Sequence, residues 1–344
     1  MRYPKFLKDN GTIGFVAPSF GCATEPYFSA FKSAQNKFKK LGYSLKLGKN
    51  CYEGAGIGIS NTPEKCGREL TNMYCGGDSD ILISCGGGEL MCEILEYVDW
   101  EKVTNAEPKW FMGYSDNTNF TFLQTTMCDT AAIYGSCAAT FGMDIWHKAL
   151  YDSLELLRGE KLTLRGYDGW ERESLKSEDN PTAPWNITEP RILKIYNGSR
   201  SEASAEFSGR LVGGCMDCLV NLLGTKYDKV KEFNARYADN GIIWFLESCD
   251  LNVFAIRRAM WQMDNAGWFE NVKGFIIGRP LVFGQEIMGL NQYDAVMAVA
   301  GKYNVPVIMD CDLGHLAPTM PLVSGSFADI KVVDNDIEVS MRLY

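Results

Sequence analysis

The chain has 344 residues, 46% of them hydrophobic and 22% charged, with a formal net charge of -9. That length suits two domains better than one core, and the composition is that of an ordinary globular protein. With no Lys/Arg run and an acidic balance, the footprint of a nucleic-acid binder is missing, and no apolar run nears the ~18 residues of a membrane helix.

The 12 cysteines are scattered, and several follow apolar runs, as Cys85 and Cys249 do. In a chain this large they read as reduced, buried thiols and not as a disulfide framework. The opening residues Met1-Arg-Tyr-Pro-Lys-Phe-Leu-Lys-Asp-Asn10 lack the apolar stretch of a signal peptide, so a cytoplasmic location is expected.

Residues 12–18 form an apolar run stopped by Pro18, which predicts a buried strand. Over 27–41, Phe28, Phe31, Ala34, Phe38 and Leu41 recur at helical spacing, and Gly42 ends the pattern. A strand is expected at 43–47 and a helix at 63–74. The next strand, 80–85, runs into Gly86-Gly87-Gly88 and a helix at 89–98. A strand at 109–113 and a helix at 117–127 follow. This alternation predicts a parallel sheet covered on both faces. From 167 to 206 the chain is polar and rich in turn residues, and reads as a linker with a long surface loop. Strands are expected again at 209–214, 241–247, 274–278 and 305–309, with helices at 216–223 and 253–266 and a strand-like C-terminus. The expected division is a first domain over 1–165, the linker and loop over 166–206, and a second domain over 207–344.

Only two histidines are present, His147 and His315. Hydrolysis by a serine needs a base that titrates near neutral pH, and histidine is the usual one. His147 adjoins a predicted helix and reads as a surface or packing residue. His315 lies in a loop directly after a buried strand, the place where α/β sheets bind ligands. Gly113-Tyr114-Ser115-Asp116-Asn117 joins a strand to a helix and is similar to the G-x-S-x-G nucleophile turn, with asparagine in the last glycine position. The simpler reading is that Ser115 only caps the helix. Cys85-Gly86-Gly87-Gly88-Glu89 also joins strand to helix. It fits neither nucleotide fingerprint, and its free N–H groups suit an oxyanion site, although a plain tight turn would read alike. Glu247 ends five apolar residues and is either a strand-end charge or a buried, paired one.

Together these segments resemble the LD-carboxypeptidase family of serine peptidases, and most closely its microcin C immunity branch. The similar pieces are residues 11–19, Gly87-Gly88 with residues 94–99, residues 109–116, residues 209–214 with 223–227, Phe245-Leu246-Glu247, and Gly314-His315. The resemblance implies Ser115 as nucleophile, His315 as base and Glu247 as the acid that orients it. The N–H of Asp116, with that of Gly87 or Gly88, would form the oxyanion site. It also implies a flavodoxin-like parallel-sheet N-terminal domain, a smaller mixed α/β C-terminal domain, and a homodimer. No cofactor and no metal is implied. The substrate would be a small peptide-like amide, either a peptidyl- or aminoacyl-nucleotide or a murein peptide. Trp170 and Trp185 are candidates for stacking on a flat group. Three departures fall near the implied substrate site: Cys215 where the family has asparagine, Ser248 where it has an acid, and Glu89 where it has an aromatic residue. Arg257, Arg258 and Arg279 are candidate readers of a terminal carboxylate.

Two other classes stay open. Cys215-Met216-Asp217-Cys218 has the C-x-x-C spacing of a redox or metal motif, as a single pair. A pair of α/β domains would also suit a small-ligand binding protein without catalysis.

Overall fold

A computed structural model describes all residues, 1–344. The chain divides into two compact units, one of residues 1–161 and 173–186, the other of 162–172 and 187–344.

The first unit opens with β1 (Thr12–Val16), α1 (Tyr27–Lys40), β2 (Ser44–Leu47), α2 (Pro63–Cys75) and β3 (Ile81–Ser84). It continues with α3 (Trp100–Asn105), β4 (Phe111–Gly113), α4 (Thr118–Thr126), β5 (Ala132–Tyr134) and α5 (Lys148–Leu157). The strands pair in parallel in the order β2-β1-β3-β4-β5, the flavodoxin-like doubly wound arrangement. Both faces are covered, so the strands carry apolar residues on both sides; every residue of β3 and β4 is buried. Helix α2 begins because Thr62 accepts the N–H of Lys65 and Pro63 needs no partner there. Its far end is held by Lys109, whose ammonium donates to the carbonyls of Met73 and Gly76. The helix expected at 89–98 is a 3-10 segment, Met91–Tyr97.

The second unit contains β6 (Thr163–Arg165), β7 (Gly169–Glu171), β8 (Ile187–Pro190), β9 (Lys194–Asn197), β10 (Arg200–Ser201) and β11 (Ser204–Cys215). Next come α6 (Met216–Leu222), α7 (Val230–Arg236), β12 (Ile242–Glu247), α8 (Val253–Asn265) and β13 (Val272–Gly278). The unit closes with β14 (Glu286–Ile287), β15 (Leu290–Asn291), α9 (Gln292–Ala300), β16 (Pro306–Cys311), β17 (Leu322–Ser324), β18 (Phe327–Val333) and β19 (Asp336–Arg342). Its main sheet has nine strands, in the order β10-β9-β16-β13-β12-β11-β18-β19-β6. The centre, β11 through β16, is parallel, and both flanks are antiparallel.

The segment expected to be a linker and loop, 166–206, contains the short strands β7 to β10 and the start of β11, and has no strand or helix between 172 and 186. β7 and β8 pair as an antiparallel ribbon, and β9 extends the main sheet beside β16. Residues 173–186 belong to the first unit and the rest of the segment to the second. Its polar, proline-rich composition reflects edge strands, where Pro190 and charged residues are tolerated.

The parallel pairing of β11 with β12 depends on Gly213. A Cβ there would stand 1.8 Å from the Phe245 carbonyl oxygen, and the residue has φ +156°. Gly213→Ala is therefore expected to cost about 3 kcal/mol of stability. Urea unfolding that shows an unchanged midpoint would refute this account of the strand contact.

Candidate active site

In the first unit, the carboxyl ends of β1, β3 and β4 converge where the strand order reverses, the usual ligand position of a doubly wound sheet. Ser115 follows β4 and has φ +63°, the left-handed region that a non-glycine residue rarely adopts. Such a conformation costs on the order of 1–3 kcal/mol and persists only where its surroundings hold it. Its neighbours do so. The Ser115 N–H donates to the Tyr134 hydroxyl oxygen at 3.3 Å. Asn117 Nδ2 donates to the carbonyls of Tyr114 (3.0 Å) and Gly86 (2.8 Å), tying this turn to the glycine turn after β3. The asparagine that replaces the last glycine of the motif is thus a strut. Gly113 makes room for it, since a Cβ at Gly113 would lie 2.9 Å from Asn117 Cβ.

Asp116 is buried, and its carboxylate accepts from Ser19 Oγ (2.5 Å), the Met91 N–H (2.9 Å) and Asn119 Nδ2 (3.0 Å). Burial raises its pKa, Glu89 nearby adds to this, and the three donors oppose it. Gly87 adjoins the serine: a Cβ there would stand 3.1 Å from Ser115 Oγ. Gly88 has no space for a side chain, with Ser19 Oγ 2.0 Å from a built Cβ. Glu89 is exposed, with its backbone N–H bonded to the Gly58 carbonyl.

In the second unit, Glu247 ends β12 after five fully buried apolar residues and is itself 1% exposed. Its Oε2 lies 2.8 Å from His315 Nδ1. Two glycines clear the space it occupies: a Cβ on Gly314 would meet Oε2 at 2.7 Å, and one on Gly278 would meet Glu247 Cβ at 3.0 Å. The loop that carries His315 is anchored by Asp312, which is buried, pairs with Arg279 Nη2 at 2.6 Å and accepts the Tyr167 N–H at 2.7 Å. Thr319 Oγ1 fixes the Gly314 carbonyl. Burial pulls the imidazole pKa down, but the Glu247 carboxylate and the Cys249 thiol beside it pull harder, so the net position is well above 6.5.

The other expected residues fall in different settings. His147 is the N-cap of α5, with Nδ1 accepting the Ala149 N–H, and its ring lies 5.2 Å from that of half-buried Trp185. Trp170 is only 4% exposed; Arg172 and Arg279 lie over its ring and Nε1 donates to the Pro190 carbonyl. Little of the Trp170 ring is therefore free, with both arginines lying over it. Cys215 is 1% exposed and its thiol points to Asp217, so it makes no open substrate contact. Arg279 is committed to Asp312 and the Asp310 carbonyl, which removes it as a carboxylate reader. Arg257 and Arg258 are exposed on α8. Sequence reasoning missed Asn117, Tyr134, Asp312, Asp217 and Cys249. Asn117 and Asp217 stood inside quoted motifs whose spacing says nothing of their bonds, and the others are tied in from distant segments. All cysteines are free thiols, and no group of three or more His, Cys, Asp or Glu side chains is arranged to hold a metal ion. No helix is long and apolar enough to cross a membrane.

The Glu247–His315 contact can be tested directly. An NMR titration is expected to place the His315 midpoint above 6.5 and to bring it down in Glu247→Gln. By linkage, the pair stabilises the fold fully below the ordinary histidine value, and that contribution is lost as pH rises through the raised one. A midpoint that does not move with Glu247→Gln would show that the carboxylate is not its cause.

Comparison with known proteins agrees with this architecture. A Streptomyces coelicolor protein named as a candidate carboxypeptidase is 21% identical over 284 residues, covering 76% of this chain and 79% of that one. The microcin C7 self-immunity protein MccF, solved with glutamyl sulfamoyl guanosine, superposes with a TM-score of 0.80 over 99% of this chain and 98% of its own, at 20% identity. An MccF-like protein from Bacillus anthracis gives 0.81 over 99% and 100%, at 19% identity. The model of the LD-carboxypeptidase N-terminal domain matches residues 13–135 and that of the C-terminal domain residues 208–330. With both domain models matched over most of its length, the chain belongs to the LD-carboxypeptidase family, S66, of serine-type peptidases.

Proposed function

We propose that the protein hydrolyses an amide bond in a small peptide-like substrate, with Ser115 as nucleophile, His315 as general base and Glu247 as the residue that orients the imidazole. The observation that carries this reading is the buried Glu247 carboxylate 2.8 Å from His315 Nδ1. A carboxylate on Nδ1 holds that nitrogen protonated and leaves Nε2 as the basic atom, as an acyl-transfer histidine requires. The strained turn at Ser115 supports the nucleophile role, since strain of that kind gathers at functional sites.

In the proposed reaction, His315 Nε2 takes the Ser115 hydroxyl proton as Oγ attacks the carbonyl carbon. The N–H of Asp116 and that of Gly87 or Gly88 stabilise the oxyanion. The imidazolium then protonates the leaving amine, and an acyl-enzyme remains on Ser115. Water, deprotonated by the same imidazole, releases the acid and restores the serine. A homodimer working in the cytoplasm is the proposed setting.

Two substrate classes compete. Solved relatives hold aminoacyl-nucleotide analogues, glutamyl sulfamoyl guanosine and aspartyl sulfamoyl adenosine, which favours an aminoacyl- or peptidyl-nucleotide. Of the two tryptophans considered for stacking, Trp185 is the half-buried one and the better placed to take a base. The family description names an LD-carboxypeptidase, and on that reading the substrate would be a murein peptide losing a terminal D-residue. Turnover of each class by the purified protein separates them.

Ser115→Ala is expected to lower kcat by about 1000-fold or more on whichever substrate is turned over, and to abolish labelling by a fluorophosphonate. Full turnover by that variant would end the mechanism. The acid limb of kcat/KM is expected to have its midpoint above 6.5, because His315 must be neutral to act as base. An acid limb at the carboxylate range in its place would point to another base.

A further inference from the structure

The C-x-x-C pair is unused by the mechanism above, yet it is built into the strand next to the acid. Cys215 ends β11 and is the register partner of Glu247 on β12. Cys218 lies in the first turn of α6, with its thiol beside that of Cys215. The Cys215 thiol points to Asp217 Oδ2 at 3.3 Å. That same carboxylate accepts the backbone N–H groups of Cys249 (3.0 Å) and Asp250 (2.8 Å), and so holds the turn that follows Glu247. Cys249 in turn lies against His315. A continuous set of contacts thus runs from the dithiol through Asp217 to the imidazole, all within the second unit.

We propose that Cys215 and Cys218 are a thiol–disulfide modification site whose oxidation loosens the Asp217 clamp and misplaces His315. The oxidant is a low-molecular-weight disulfide. Cys218, 8% exposed against 1% for Cys215, is the one the oxidant reaches first. The Cys218 thiolate attacks one sulfur of the small disulfide and expels the other half as a thiolate, which takes up the proton Cys218 lost. The Cys215 thiolate then attacks Cys218 Sγ, the protein disulfide forms, and the second small thiolate leaves and is protonated in the same way. Two S–H bonds and one small disulfide are converted into one protein disulfide and two small thiols. With its hydrogen gone, Cys215 no longer donates to Asp217, and the bridging sulfur draws towards α6. The neighbouring thiol and burial both hold Cys215 protonated, so the exchange is slow and selective.

The test incubates the full-length protein with oxidised glutathione and reads intact mass, a non-reducing tryptic map and hydrolysis. The expected result is a loss of two hydrogens in mass and a Cys215–Cys218 linked peptide. Hydrolysis should fall by up to about 100-fold, as a misplaced catalytic group causes, and return with dithiothreitol. Cys218→Ser, or Cys218→Ala if the serine variant misfolds, should hydrolyse normally and resist the oxidant. A glutathione adduct that stalls on Cys218, or a bridge to Cys249, overturns the site. A Cys215–Cys218 bridge that leaves hydrolysis unchanged overturns the coupling. The activity arm rests on the proposed hydrolysis, whereas the mass and peptide readouts do not. A protein that bridges but cleaves no amide would therefore fail that reading and not this site.

Discussion

A carboxylate at the end of a strand whose preceding five residues are wholly buried must find a partner or lose its charge. Glu247 finds His315, and much of the second unit's local design follows from that pairing. The glycines at 278 and 314 stand where any side chain would press on the Glu247 side chain. Asp312 and Arg279 form a second buried pair that fixes the loop through Asp312, three residues before the histidine. Removing either member of such a pair leaves an uncompensated charge, so these four residues hold one another in place. The arrangement also sets the chemistry. The carboxylate that would be costly alone fixes the imidazole tautomer and raises its proton affinity against the pull of burial.

The first unit meets a different constraint with similar means. A serine held at positive φ needs its strain compensated by contacts that act only in that conformation. Asn117, Asp116 and Tyr134 supply them through the amide, carboxylate and phenol described above. Helix α4, which follows the turn, is buried at all of its residues although it contains four threonines. Those of Thr121, Thr125 and Thr126 satisfy their hydroxyls on carbonyls one turn back, which lets a polar helix sit in an apolar setting. The unit therefore carries its polar residues inward with bonds already assigned, and the serine turn inherits the rigidity.

Much of this was legible in the residues. Apolar periodicity and glycine stops located most helices and strands, because buried parallel strands and amphipathic helices write strong patterns. Gly113-Tyr114-Ser115 and Gly314-His315 pointed to the two turns for the same reason, since glycine there meets a steric need. The segment from 166 to 206 was not legible. Short strands at or near a sheet margin, such as β8 and β9, alternate weakly, so they look like loop until a neighbouring strand is known. The setting of Trp170 was hidden for the same reason: the ribbon of β7 and β8, with Arg172, Arg279 and Phe283 around the ring, buries it. The clamp made by Asp217 and the pair made by Asp312 carry no local signal, because the Cys249 N–H and the Arg279 guanidinium lie 32 and 33 residues away in sequence.

The three departures from the family's usual residues separate by burial, and that bears on substrate choice. Cys215 and Ser248 are each 1% exposed, Cys215 as the strand partner of Glu247 and Ser248 as its chain neighbour, so they present almost no accessible surface. Glu89 alone is exposed, immediately after the glycines that adjoin Ser115. Its charge reaches far enough to raise the pKa of buried Asp116. A carboxylate at that position repels an anionic group approaching the glycine turn and favours a neutral or cationic one, more strongly once water is excluded. On the proposed mechanism, the part of the substrate that lies over Gly87 and Gly88 is then its uncharged or amino-bearing end, and any acidic end extends away from Glu89.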